Sequence, residues 1–150
     1  MARKLRFWIF AVLALALVVF IFSNSLESGE ESNLKSGWVA EFLRPLLNPF
    51  GWIEEKAYLK LVRKLAHFAE FGALGLCLGG MAANAAYGKP WRYAAGAALL
   101  VACTDETIQA FTGRTESAKD VCLDFSGAVC GLVFVWLCLR IWKRYKERNV

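Results

Sequence analysis

The chain lacks the residue pairings from which metal and thiol sites are usually read. Its five cysteines, Cys77, Cys103, Cys122, Cys130 and Cys138, include no CxxC pair, and their number is odd. Neither a disulfide framework nor a redox motif is indicated. There is a single histidine, His67, and no ligand spacing of the kind that builds structural zinc sites. The three prolines, Pro45, Pro49 and Pro90, all lie outside the long apolar runs. Those runs are what the chain does have. Hydrophobic residues make up 57% and mean hydropathy is +0.40, against roughly 45–50% apolar in soluble domains. The excess is concentrated in four blocks, the pattern of a membrane protein rather than of a generally apolar core. The cysteines fall within or at the edge of these blocks and read as small buried hydrophobes; Cys122, beside the acids described below, is not read as a nucleophile. A net charge of +5 and a pI near 9.1 raise nucleic acid as a partner. That reading is rejected, because the basic residues cluster at the ends of the apolar blocks, where membrane topology accounts for them.

Arg3, Lys4 and Arg6 precede an apolar run over residues 7–22. It reads as a signal peptide, with Ser23 and Ser25 as small residues at a cleavage site, or as a first transmembrane helix. Retention is favoured, because the polar ends of the later spans need helices around them. Residues 23–36 are rich in Ser, Glu and Gly and read as a loop. Trp38, Val39, Phe42 and Leu43 then recur at helical spacing until Pro45 and Pro49 break the pattern. A second amphipathic stretch places Tyr58, Leu61, Val62 and Leu65 on one face and Glu54, Glu55, Lys56 and Lys60 on the other. With Trp38 and Trp52, these two stretches predict helices lying in the membrane interface or capping the bundle. Further spans are expected over about 66–87, 93–111 and 121–142, with a turn at Gly88, Lys89 and Pro90.

Lys and Arg in short flanks set orientation. Arg3, Lys4 and Arg6, then Lys89 and Arg92, then Lys143, Arg144, Lys146 and Arg148 share one side of a four-span chain. That side is expected to be cytoplasmic, with both termini inside. Of the thirteen acidic residues only Glu147 then lies on it.

This orientation brings polar residues of three spans to the outer level: His67 and Glu70, then Asp105, Glu106 and Gln109, then Asp120 and Asp124. Ionisable groups at membrane depth are costly and point to function. On the third span Ala95, Ala98, Ala102, Asp105 and Gln109 form one stripe; on the fourth, Asp120, Asp124, Gly127 and Gly131 form another. Glu106 lies one step from Asp105 and turns toward a neighbouring helix. Gly127 with Gly131, and Gly75 with Gly79, are GxxxG pairs that permit close packing. So many carboxylates together cannot all stay ionised without compensation. Protons, a cation, or Arg63, Lys64, Arg114 and Lys119 must supply it. Three readings stay open. The cluster is a self-satisfied network that locks the helices. Or it performs acid–base chemistry on a lipid-linked or cell-wall substrate, with Arg114 holding a phosphate or carboxylate. Or His67 with Glu70, Asp105 or Glu106 holds a divalent cation. Transport would need an oligomer, since four helices leave little room for a pathway.

Four pieces of sequence occur in order: the RKLAHFAEF run that begins at Arg63, Asp105 through Gln109 (DETIQ), Gly113 with Arg114, and Asp120 through Gly127 (DVCLDFSG). Together they resemble the VanZ-like family of bacterial membrane proteins, whose pattern runs RKxxHFxEY, DExxQ, GR and Dxxx(D/N)xxG. Phe71 stands where Tyr is common, and the FSNS that starts at Phe22 is also similar. The resemblance covers roughly residues 20–25 and 60–140. It implies a place in the cell envelope and, through the family's namesake, a link to resistance to the glycopeptide teicoplanin. It brings no agreed catalytic mechanism.

The expectation is thus an all-α, polytopic membrane protein forming one VanZ-like domain over residues 1–150. It has four transmembrane helices and interfacial amphipathic helices in the first extracytoplasmic loop, and it sits in the bacterial cytoplasmic membrane. The candidate catalytic residues are His67, Glu70, Asp105 and Glu106. The candidate substrate-binding residues are Gln109, Arg114, Asp120, Asp124, Arg63 and Lys64. No residue is assigned as a metal ligand. The expected partner is an envelope lipid or lipid-linked substrate, with a homo-oligomer as a further option. The alternative is an interaction protein whose polar cluster is structural.

Overall fold

A computed structural model describes residues 1–27, 29–86, 88–112 and 118–149, with side chains at all of these except 29–36. Among the described residues every regular element is a helix: α1 (Ala2–Ser25), α2 (Gly29–Leu47), α3 (Glu55–Asn84), α4 (Pro90–Phe111) and α5 (Ala118–Arg148). Three of them, α1, α3 and α5, are long and apolar enough to cross a membrane. The fourth expected span, α4, is not among them; its last turns carry Asp105, Glu106 and Gln109.

Two boundaries differ from the expectation. Most of the polar stretch after the first apolar run is helical rather than loop: α1 continues through Ser25, and α2 begins at Gly29. Ser and Gly suggest a loop, but Glu30, Glu31, Leu34 and Lys35 in the same stretch are good helix formers. Pro45 is accommodated inside α2 near its end, where little helix remains to be broken. Second, the stretch that begins at Glu55 and the span expected from 66 are one helix, α3. Its first turns carry the amphipathic pattern and the remainder is apolar.

Helix directions follow from the contacts at the helix ends. Arg3, at the start of α1, donates to the carbonyls of Asn84 and Ala85 at the end of α3. Those carbonyls have no partner within their own helix, and a guanidinium satisfies them. At the other end of α1, Asn24 donates to Glu70 in α3 and Ser25 to Asp105 in α4. So α1 and α4 run one way. Lys64 pairs with Asp120, and Gly75 faces Ala128, so α3 and α5 run together. Since α1 is antiparallel to α3, that pair runs the other way.

The α3–α5 contact is the closest. A Cβ at Gly127 would overlap the Phe68 carbonyl, one at Gly131 the Gly72 carbonyl, and one at Gly75 the Ala128 carbonyl. Further along, Gly80 leaves room for the ring of Phe10 in α1. In lipid such approach replaces hydrophobic burial as the source of helix association. The core is accordingly built from small residues around a few large ones: Ala94, Ala98, Ala102 and Ala128 against Ile21, Phe71, Leu74 and Leu132. Four of the five cysteines, Cys103, Cys122, Cys130 and Cys138, lie on exposed faces rather than buried. An apolar face turned to lipid needs no cover, so an apolar setting in sequence does not imply burial in the bundle.

A second, smaller core joins α2 to α3 through Ala40, Tyr58 and Val62. The Tyr58 hydroxyl donates to the Ala40 carbonyl at 2.7 Å, and Arg44 grips Glu55 with both terminal nitrogens, at 2.8 and 3.0 Å. This fixes which side of α2 faces away. Trp38, Phe42 and Leu46 form an exposed ridge at four-residue spacing, continued by Phe50 and Trp52, whose rings stack at 5.1 Å.

Candidate functional site

Helix register, rather than loop geometry, assembles the polar cluster. On α4, Ala94, Ala98 and Ala102 pack inward at four-residue steps, which turns Asp105 into the same interior. On α5 the glycine contacts with α3 begin at Gly127, one turn after Asp124, and hold that carboxylate against α3 and α4. On α3, His67 precedes the Phe68 carbonyl that Gly127 abuts.

Asp105 is the centre. It is fully buried. Ser25 Oγ donates to its Oδ1 at 2.6 Å and Gln109 Nε2 to its Oδ2 at 2.7 Å. His67 Nδ1 lies 3.8 Å from Oδ2. Asp124 is 2% exposed. Ligand atoms of His67, Asp105 and Asp124 all lie within 4.8 Å of one another. Glu106 is buried as well. The helical angle places it off the Asp105 stripe, yet at this level α4 is covered over a face wide enough to enclose both. Glu70 accepts from Asn24 Nδ2 at 3.2 Å through Oε1, while its buried Oε2 has no partner among the described residues.

The remaining candidates lie further out. Asp120 is paired with Lys64, and both are partly exposed. Arg63 is half-buried on α3 and forms no ion pair among the described residues. Arg114 and Gly113 lie outside the described residues. The structure thus brings His67, Glu70, Asp105, Glu106, Gln109 and Asp124 together and sets the Lys64–Asp120 pair at the rim.

Two contributors were not expected as site residues, Ser25 and Asn24 at the end of α1. Ser25 is completely buried, and Thr112 Oγ1 donates to its carbonyl at 3.2 Å. Their sequence signal was the polar FSNS at the close of an apolar run, read as a cleavage site or as part of a resemblance. Polar residues at the end of a span, facing a carboxylate on another span, are the usual way such groups are satisfied in a membrane.

Chemically, the cluster offers an imidazole within reach of a carboxylate held by neutral donors, and further buried carboxylates beside them. Such a set can exchange protons, bind a cation, or tie helices together. Compared with known families, residues 10–140 match VanZ/LLP1. No curated protein and no solved structure matches the chain.

Proposed function

The chain belongs to the VanZ/LLP1 family, and on that premise we propose that it binds or modifies an envelope lipid or glycolipid at an outer-leaflet polar site, and thereby alters susceptibility to teicoplanin. The observation that carries this reading is the burial of Asp105 and Asp124 beside His67 at one end of the helices. Burying several carboxylates is expensive, and helix association alone is already provided by the glycine contacts.

In this reading the chain crosses the cytoplasmic membrane four times, with both termini inside. The alternating directions of α1, α3, α4 and α5 support it. So does the placement of Arg3, Lys89 and the basic end of α5 at the end opposite the acids. The polar end of α4 crosses because α1, α3 and α5 shield it from lipid. The exposed ridge of α2 rests in the outer interface, where Trp and Phe are favoured. His67 with a neighbouring carboxylate transfers protons. Arg63 and Arg114, with Lys64 once it leaves Asp120, supply the positive charge that a phosphate headgroup requires.

A second reading has its own observation. Ser25, Asp105 and Gln109 form a connected network, and Asn24 with Glu70 adds another link. This is what an interaction protein whose acids only lock the bundle would also contain. Lipid profiling of cells lacking the gene, restored with wild type or with single variants, separates the two. The expected result is one envelope lipid that accumulates without the gene and is cleared by wild type. His67→Ala, Glu70→Gln, Asp105→Asn and Arg114→Ala should each reach the membrane at normal level yet reduce clearance by about 10²-fold, the usual worth of a positioned acid or base. Degraded variants would support the locking role. Stable variants with full clearance would end the site reading.

A further inference from the structure

We propose that His67, Asp105 and Asp124 bind one divalent cation of the Mn2+–Zn2+ class. The three residues come from α3, α4 and α5, so the site exists only where these helices meet. Their ligand atoms already lie within 4.8 Å of one another. Atoms each about 2.1 Å from a shared ion are at most about 4.2 Å apart, so side-chain rotation alone completes the set.

The second observation is Asp124. It is 2% exposed, and no donor among the described residues reaches its carboxylate. It cannot withdraw, because Gly127 and Gly131 hold that part of α5 against the α3 backbone. A carboxylate buried without a donor is among the costliest groups to place in a fold. Around it stand Asp105, Glu106, Asp120 and Glu70. The described cation nearest the rim, Lys64, is engaged by Asp120. A divalent ion would place positive charge directly against Asp124, which forms no ion pair among the described residues.

Asp105 has the support expected of a ligand. Ser25 and Gln109 each occupy one lone pair of its two oxygens and fix its plane, as outer partners of metal-binding carboxylates do. Lone pairs remain on both oxygens. One imidazole nitrogen among carboxylate oxygens lies between hard and soft donor sets, which suits Mn2+ or Zn2+ better than Mg2+.

The inference rests on reading this cluster as a ligand site, but not on that ligand being a lipid. The test uses full-length protein in detergent, equilibrated with Mn2+, Zn2+ or Mg2+, desalted, and assayed for bound metal and for thermal unfolding with and without chelator. Wild type should retain about one Mn2+ or Zn2+ per chain and unfold at lower temperature once chelated. Asp124→Asn, Asp105→Asn and His67→Gln should each weaken binding at least about tenfold, whereas Glu147→Gln, remote and exposed, should not. Asp124→Asn removes a buried charge, so in chelator it should unfold no lower than wild type. Wild type that keeps no metal and shows no chelator effect overturns the proposal, even if a variant fails to fold. Equal binding by all variants overturns it as well, since the metal would then sit elsewhere. Absence of metal with a changed lipid profile removes only the cation. Bound metal with an unchanged lipid profile supports the cation and removes only the lipid reading.

Discussion

Asp105 accepts from two neutral donors that reach it from opposite directions in the chain. Gln109 was legible in the sequence, since four residues along a helix place two side chains on one face. Ser25 was not, because no periodicity relates positions 80 residues apart; only the packing of α1 beside α4 brings its hydroxyl to Oδ1. The same holds for Asn24 and Glu70. A hydrogen bond to a buried carboxylate is worth more than one between neutral groups, about 1.5–3 kcal/mol. Ser25→Ala should therefore lower stability by about 1–2 kcal/mol, read as an earlier thermal transition in detergent. Ser23→Ala, whose hydroxyl bonds only to the Val19 carbonyl of its own helix at an exposed position, should change it little.

Among elements, α3 shows how a local pattern misleads. Its first turns are amphipathic and its later turns apolar, so one helix reads as two. Nothing in the backbone between them interrupts helix formation, and the chain continues through. The glycines of α3 and α5 read correctly as packing residues, but which of them touch backbone is decided by the pair. Gly131→Ala would place a methyl against the Gly72 carbonyl and force α3 and α5 apart. The expected cost is about 1–3 kcal/mol, as for other overpacked contacts. Gly96→Ala meets nothing within 4 Å and should be neutral or stabilising by about 0.5–1 kcal/mol through reduced backbone freedom. Denaturation of the two variants side by side measures the contrast. For α2, a variant retaining only Trp38 of the six tryptophans, placed in bilayers of lipids brominated at different depths, should be quenched most strongly by bromines near the headgroups. Quenching at no depth would remove α2 from the interface.

At the scale of the whole molecule, direction is the decisive property. α1 and α4 run opposite to α3 and α5, and the acids of the cluster gather at one end. In a variant free of native cysteines, Ala118→Cys should react with an impermeant thiol probe on intact cells. Asn149→Cys should react only after lysis. The reverse pattern would invert the orientation, and reaction of both on intact cells would leave an odd number of crossings. What the sequence by itself determined is the helical class, the membrane character, the family, and the set of acids near one level, because composition, periodicity and flanking charge are written locally along the chain. Only the tertiary structure decided that α1 completes the cluster, that Glu106 is enclosed, that Lys64 pairs with Asp120 at the rim, and that Asp124 is buried with no donor among the described residues. Those outcomes depend on which helices touch and in what register, and glycine-to-backbone contacts between distant segments set that register.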